Sequence, residues 1–187
     1  MSHWISGQIE KAGWLRFLVS LAALIAYSYW AFIRPGFWTR ANEAAAPLPE
    51  TLQGFPDGQP AYAFAFLGEA TSDYLIFQAV DIPFAFLNAA MITTAIALGL
   101  RKLKLTATPL RFLLVLPLIL FAAELVEDAL LFLMAADYIT DKGVPALVQQ
   151  AFTNIKVASA MLGTVCAFAA LIGAIIATIV HFFQKTT

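Results

Sequence analysis

Three acids sit inside an apolar run of membrane length. Residues 118–136 read LILFAAELVEDALLFLMAA and carry Glu124, Glu127 and Asp128. The spacing i, i+3, i+4 puts all three on one face of a helix. An ionisable side chain in the bilayer core costs at least about 2.5–3.5 kcal/mol on insertion scales. Three on one face cannot point at lipid. They require ion-pair partners inside a bundle, a watery cavity, bound protons or an ion. A protonated carboxyl beside an ionised one is the arrangement that general acid–base catalysis uses. A proton relay uses the same arrangement. A third role needs no chemistry at all: buried ion pairs can serve only to fix helix register. Glu127 is central in the acidic face, which makes it the expected working acid.

The partners must come from other helices. Four runs are long enough to cross about 30 Å of hydrocarbon. They lie near 14–34, 73–100, 109–136 and 147–183. Barrel strands would be shorter and would alternate, so the expected fold is an all-α integral membrane protein, a four-helix transmembrane bundle. On the second run Gln78, Asp81 and Asn88 share a stripe within about 80°. On the fourth, Thr153, Lys156, Ser159 and Gly163 follow i, i+3, i+6, i+10 spacing. The expected proton-handling set is Asp81, Glu124, Glu127, Asp128 and Lys156. Gln78, Asn88, Thr153 and Asn154 are the expected polar contacts for a ligand. Four acids and one lysine, all ionised, would hold −3, which is untenable at low dielectric.

Composition agrees with the class. The chain is 61% hydrophobic and 12% charged, with a net charge of −1. Its mean hydropathy is +0.79. These values exclude an ordinary soluble domain, and the charge argues against nucleic acid as a partner. The 187 residues suit one membrane domain. The single Cys166 permits no internal disulfide and reads as a packed thiol.

No metal and no cofactor are expected. No histidine falls in the cluster, and no Glu-x-x-His motif exists for a di-iron site. A carboxylate-only cage for a hard cation is the remaining metal alternative. Nucleophile-elbow, P-loop and dinucleotide fingerprints are absent from the sequence.

Basic residues set the expected topology. The second connection, RKLKLTATPLR, holds Arg101, Lys102, Lys104 and Arg111 and no acid. The positive-inside rule then makes this connection and both termini cytoplasmic. At 1.5 Å per residue, Asp81, Asp128 and Lys156 fall roughly 12–15 Å from the outer ends of their helices. Three helices thus bring ionisable groups to one level.

The remaining segments have simpler readings. MSHWISGQIEKAGWLR is an amphipathic lead-in, with Trp4, Ile5, Ile9 and Trp14 expected at the membrane interface. The run after it reads as a span rather than a signal peptide, because Ala44–Ala46 lies too far beyond it to be its cleavage site. Residues 35–72 form a long outer loop punctuated by Pro35, Pro47, Pro49, Pro56 and Pro60, with Gly54 and Gly58. Within it, AYAFAF at 61–66 alternates as a short strand would, and reads equally as an aromatic segment lying in the headgroup zone. Pro83 and Pro117 are expected to interrupt two helices. Ser159, Gly163 and Ala167, and again Ala169, Gly173 and Ala177, repeat at four residues and predict close packing within the bundle.

Glu124-Leu-Val-Glu127-Asp128, then Pro145, then Phe152-Thr153-Asn154-Ile155-Lys156, resembles a set of small bacterial four-helix membrane proteins. Their third span carries a D-x-x-E-N-type motif and their last span opens with F-T-x-x-K. Asp81 fits their second-span acid. The resemblance covers roughly residues 70–180. It departs at Glu124, where Asp is usual, and at Asp128, where Asn is usual, so this chain has one acid more. A looser likeness, by analogy alone, is to the emopamil-binding class of helical sterol isomerases, which also place acids in a small bundle.

Three functions fit these residues. The first is binding, or acid–base conversion, of an apolar lipid-like molecule such as an isoprenoid or sterol. The second is an accessory subunit that assembles with other membrane protein subunits, the cluster acting as glue. The third is a proton-coupled transporter, for which four spans give little room.

Overall fold

The computed structural model describes residues 2–33, 39–40, 64 and 67–186. Five α-helices account for most of them: α1 Ser2–Glu10, α2 Trp14–Ser28, α3 Thr71–Lys102, α4 Leu116–Ala135 and α5 Gly143–Thr186. A π-helical turn, Tyr29–Ile33, extends α2. A 3-10 segment, Pro109–Val115, leads into α4. No strand occurs among the described residues. Four helical stretches are long and apolar enough to cross a membrane: Trp14–Phe32, Gly68–Lys102, Pro109–Ala135 and Gly143–Gln184. The fold is an all-α, multi-pass membrane bundle.

Contacts divide the chain into two compact units, and the division cuts across the long helices. The first unit holds Met1–Leu24, Leu87–Leu120 and Ala158–Thr187. Its core is apolar: Ile92, Ile96, Leu98 and Leu114 are all but inaccessible, as are Ala95 and Ala174. In an apolar medium such packing relies on close fit rather than on the expulsion of water. Gly99 of α3 provides the closest approach. A Cβ added there would stand 2.5 Å from the Ala170 Cβ and 2.6 Å from its carbonyl oxygen. Ser159, Gly163 and Ala167 are buried in this same unit, as their spacing predicts. The hydroxyls of its buried threonines have partners. Thr93 Oγ1 donates to the Ala89 carbonyl, and Ser20 Oγ meets Thr94 Oγ1 at 2.7 Å.

The second unit holds Ile25–Phe86 and Phe121–Val157. Part of its core is aromatic and aliphatic: Phe64, Leu67, Tyr74, Phe77, Leu131 and Met134. Phe32 packs edge-on against Phe84 and Phe77. The rest of its core is polar and contains the acids.

Several expectations are corrected. The N-terminal segment is helical, but Ile5 and Ile9 are buried in the first unit's core rather than held at an interface. The reason is the turn at Lys11–Gly13, which folds α1's apolar stripe back onto protein. Pro117 stands where the 3-10 segment gives way to α4, inside the continuous helical stretch Pro109–Ala135. Pro83 lies inside α3, which runs through it unbroken. The span starting near 147 begins at Gly143, one turn earlier. The strand expected at 61–66 lies outside the described residues except for Phe64, which is helical and buried.

Candidate functional site

The site is built from three helices of the second unit. On α4 the acidic stripe faces inward: Glu124 is 6% exposed, Asp128 3% and Glu127 0%. On α5 the stripe Gln149, Thr153, Lys156 repeats at i, i+4, i+7 and meets it. On α3, Asp81 lies in the turn before Pro83.

Glu127 is held from several directions. Lys156 Nζ stands 2.6 Å from Oε2. This is a close ion pair between an ammonium group and a buried carboxylate. Thr153 Oγ1 donates to Oε1 at 2.8 Å, and Gln149 Nε2 reaches the same oxygen at 3.4 Å. The Gln149 amide also donates to Thr153 Oγ1 at 2.7 Å, which orients the hydroxyl proton toward Glu127. Lys156 has a second partner in Glu124 Oε1, at 3.2 Å. A single cation therefore bridges two carboxylates one turn apart on α4.

Asp81 and Asp128 join no ion pair with Lys156. Asp81, Glu124 and Asp128 each present a carboxylate oxygen, and these oxygens lie within 4.8 Å of one another. Asp128 Oδ2 is buried with no hydrogen-bond partner. Lys156 neutralises at most one unit of charge in the whole cluster. The balance must come from protons shared among these three carboxyls, or from a hard cation that their oxygens are spaced to ligate.

The position of Asp81 has a specific support. Val80 lies three residues before Pro83, in the turn that the proline ring disturbs. Its carbonyl accepts a hydrogen bond from the Tyr27 phenol at 2.7 Å. The first span thereby supplies a donor to the weakened turn that carries the acid.

Of the residues expected in the site, Asp81, Glu124, Glu127, Asp128, Lys156 and Thr153 are gathered in one place. Gln78 is buried one turn before Asp81. Asn88 is half-buried and falls in the other unit. Asn154 is exposed and sits off the polar stripe, so it does not contribute to the cluster. Sequence reasoning missed Gln149, although its signal was present. It is four residues before Thr153 and seven before Lys156, and extending the stripe one turn back would have found it. Glu127, expected as the working acid, is the most firmly anchored of the four. No family model matches the chain, and neither a curated protein nor a solved structure does.

Proposed function

We propose that this protein binds an apolar, lipid-like molecule within the membrane and exchanges protons with it at Asp81, Glu124 and Asp128. The observation that carries this reading is the contrast between two carboxylate environments a few ångströms apart. Glu127 is held in place by Lys156, Thr153 and Gln149. Beside it, three carboxyls crowd within 4.8 Å and one buried oxygen has no partner. Where protons rather than a cation balance that charge, the group contains both a donor and an acceptor. In apolar surroundings that pair can protonate one carbon of a double bond and remove a proton from a neighbouring carbon. The double bond moves, and the site regains its starting protonation. An isoprenoid or sterol-like molecule is the substrate class that reaches such a site from lipid.

Proton exchange leaves an isotopic trace whichever lipid is the substrate. Membranes containing the protein, incubated in heavy water, should yield a co-extracted lipid with deuterium at a carbon position. Asp128→Asn should abolish that incorporation while the protein folds and inserts as before. Label that persists in Asp128→Asn, or that never rises above protein-free membranes, would reject acid–base conversion.

A second reading has its own observation. Glu127 is fully buried and ion-paired with Lys156, as expected of a knot that fixes helix register in an accessory subunit. Under that reading Asp128→Asn changes neither assembly nor any lipid, and only variants at Lys156 or Glu127 matter.

A further inference from the structure

We infer that the first unit contains a second site, for the phosphate-bearing headgroup of an anionic phospholipid. It is a cleft of about 600 Å³ bordered by Trp14, Arg101, Lys102, Lys104, His181 and Gln184. The size suits a small polar ligand. Its lining contains three fixed cations and a histidine, and no Asp or Glu. Three spans end at this cleft: Trp14 opens the first, Lys102 closes the second and Gln184 closes the fourth. The cleft therefore lies where hydrocarbon gives way to headgroups. Trp14 is the aromatic type that settles at that level.

The basic groups divide into one that supports the cleft and others that are available. Arg101 donates to the Ala12 carbonyl and ties the turn after α1 to the end of α3. Lys102 and Lys104 are exposed and join no ion pair among the described residues. Basic clefts between spanning helices at the membrane surface are suited to anionic headgroups.

The backbone adds an independent observation. After α3, the Leu105 N–H bonds the Leu100 carbonyl at 2.8 Å, and the Lys104 N–H bonds the Arg101 carbonyl at 3.3 Å. This is a Schellman closure with Lys104 at the left-handed position, φ 58°. Glycine is the usual residue there, because a Cβ is disfavoured in that conformation. A cation thus occupies a position where glycine would fit the backbone better. Topology alone does not explain this, since the positive-inside rule needs charge somewhere in the connection and not at that position.

The backbone conformation also suggests a clean test. Lys104→Gly removes the cation while supplying the residue the turn favours, so it should fold at least as well as the native chain. The purified full chain, titrated in mixed micelles and read by native mass spectrometry, should retain phosphatidylglycerol about ten-fold more strongly than phosphatidylcholine. Lys102→Gln/Lys104→Gly should lose most of that preference with unchanged topology and thermal midpoint, and Lys104→Gly alone should lose part of it. Equal retention of the two lipids by the native chain overturns the site. So does a preference that survives the double substitution. Full displacement of phosphatidylglycerol by millimolar inorganic phosphate overturns the lipid assignment and leaves a free-anion site.

Discussion

The two units bury different things, and each is specified by a different force. The first packs isoleucine, leucine and alanine around a backbone-to-backbone approach at Gly99. Its buried threonine hydroxyls bond within a turn or across one helix pair. The second places four carboxyl groups and a lysine among its helices. Shape determines register in the first, where a misplaced methyl group would collide. Charge determines it in the second, where a misplaced helix would strand an ion. Lipid competes poorly with either arrangement, because it offers neither a matching surface nor a counter-charge.

This contrast predicts different sensitivities, the largest in the second unit. Lys156→Met removes the cation that bridges Glu124 and Glu127. A broken buried pair costs about 3–5 kcal/mol. The thermal midpoint in detergent should fall sharply at neutral pH. A midpoint equal to the native value would mean that the lysine does not hold the helices together.

Gly99→Ala tests the first unit in the same assay. A helical glycine replaced by alanine gains about 1 kcal/mol of propensity. Against this stands a Cβ 2.5–2.7 Å from the Ala170 Cβ, oxygen and Cα, two of them backbone atoms that no rotamer change can move aside. Overpacking typically costs about 1–3 kcal/mol, so the collision should outweigh the gain. A stabilised Gly99→Ala protein would show that α3 and α5 do not approach this closely.

Tyr27→Phe is a smaller probe of the second unit. It deletes the hydrogen bond to the Val80 carbonyl and keeps the ring. The loss should be about 1 kcal/mol. If the phenol positions Asp81, deuterium incorporation should fall in this variant by more than its stability does. An equal decline in both would leave Tyr27 a purely structural strut.

The sequence made the acids legible for a physical reason. An ion in an apolar span has nowhere to go except to a partner, so depth and face alone brought Asp81, Glu124, Glu127, Asp128 and Lys156 together. Lys156 was expected to reach an acid, and it reaches two. Neutral polar groups carry no such obligation, so the same reasoning included Asn154, which is exposed, and omitted Gln149, which is buried at the centre. Gly99 was missed too, although Ala95 and Gly99 repeat at four residues. Many alanines in these spans make such repeats, and only the partner's backbone shows which one is a contact. Tyr27 was hidden for a third reason. Its role depends on Pro83, far along the chain on another helix, and nothing local links the two.

The smallest expected effect separates the acids from one another. Asp128 is as buried as Glu127 but has none of its support. Asparagine keeps the shape of the side chain, removes one member of a crowded acidic group and adds an amide with two donors. Those donors can turn toward Asp81 or Glu124, whose oxygens lie within 4.8 Å. Relief of like-charge crowding and a new hydrogen bond act in the same direction, and no existing bond of Asp128 is lost. Asp128→Asn should therefore leave the thermal midpoint unchanged or raise it slightly. Glu127→Gln, by contrast, should lower it, because it strips Lys156 of its nearest anion at 2.6 Å. The two substitutions are adjacent, conservative and equally buried, so they differ only in what the carboxylate was holding. A loss for Asp128→Asn as large as that for Glu127→Gln would make all four acids one structural knot, and would remove the ground for assigning proton exchange to three of them.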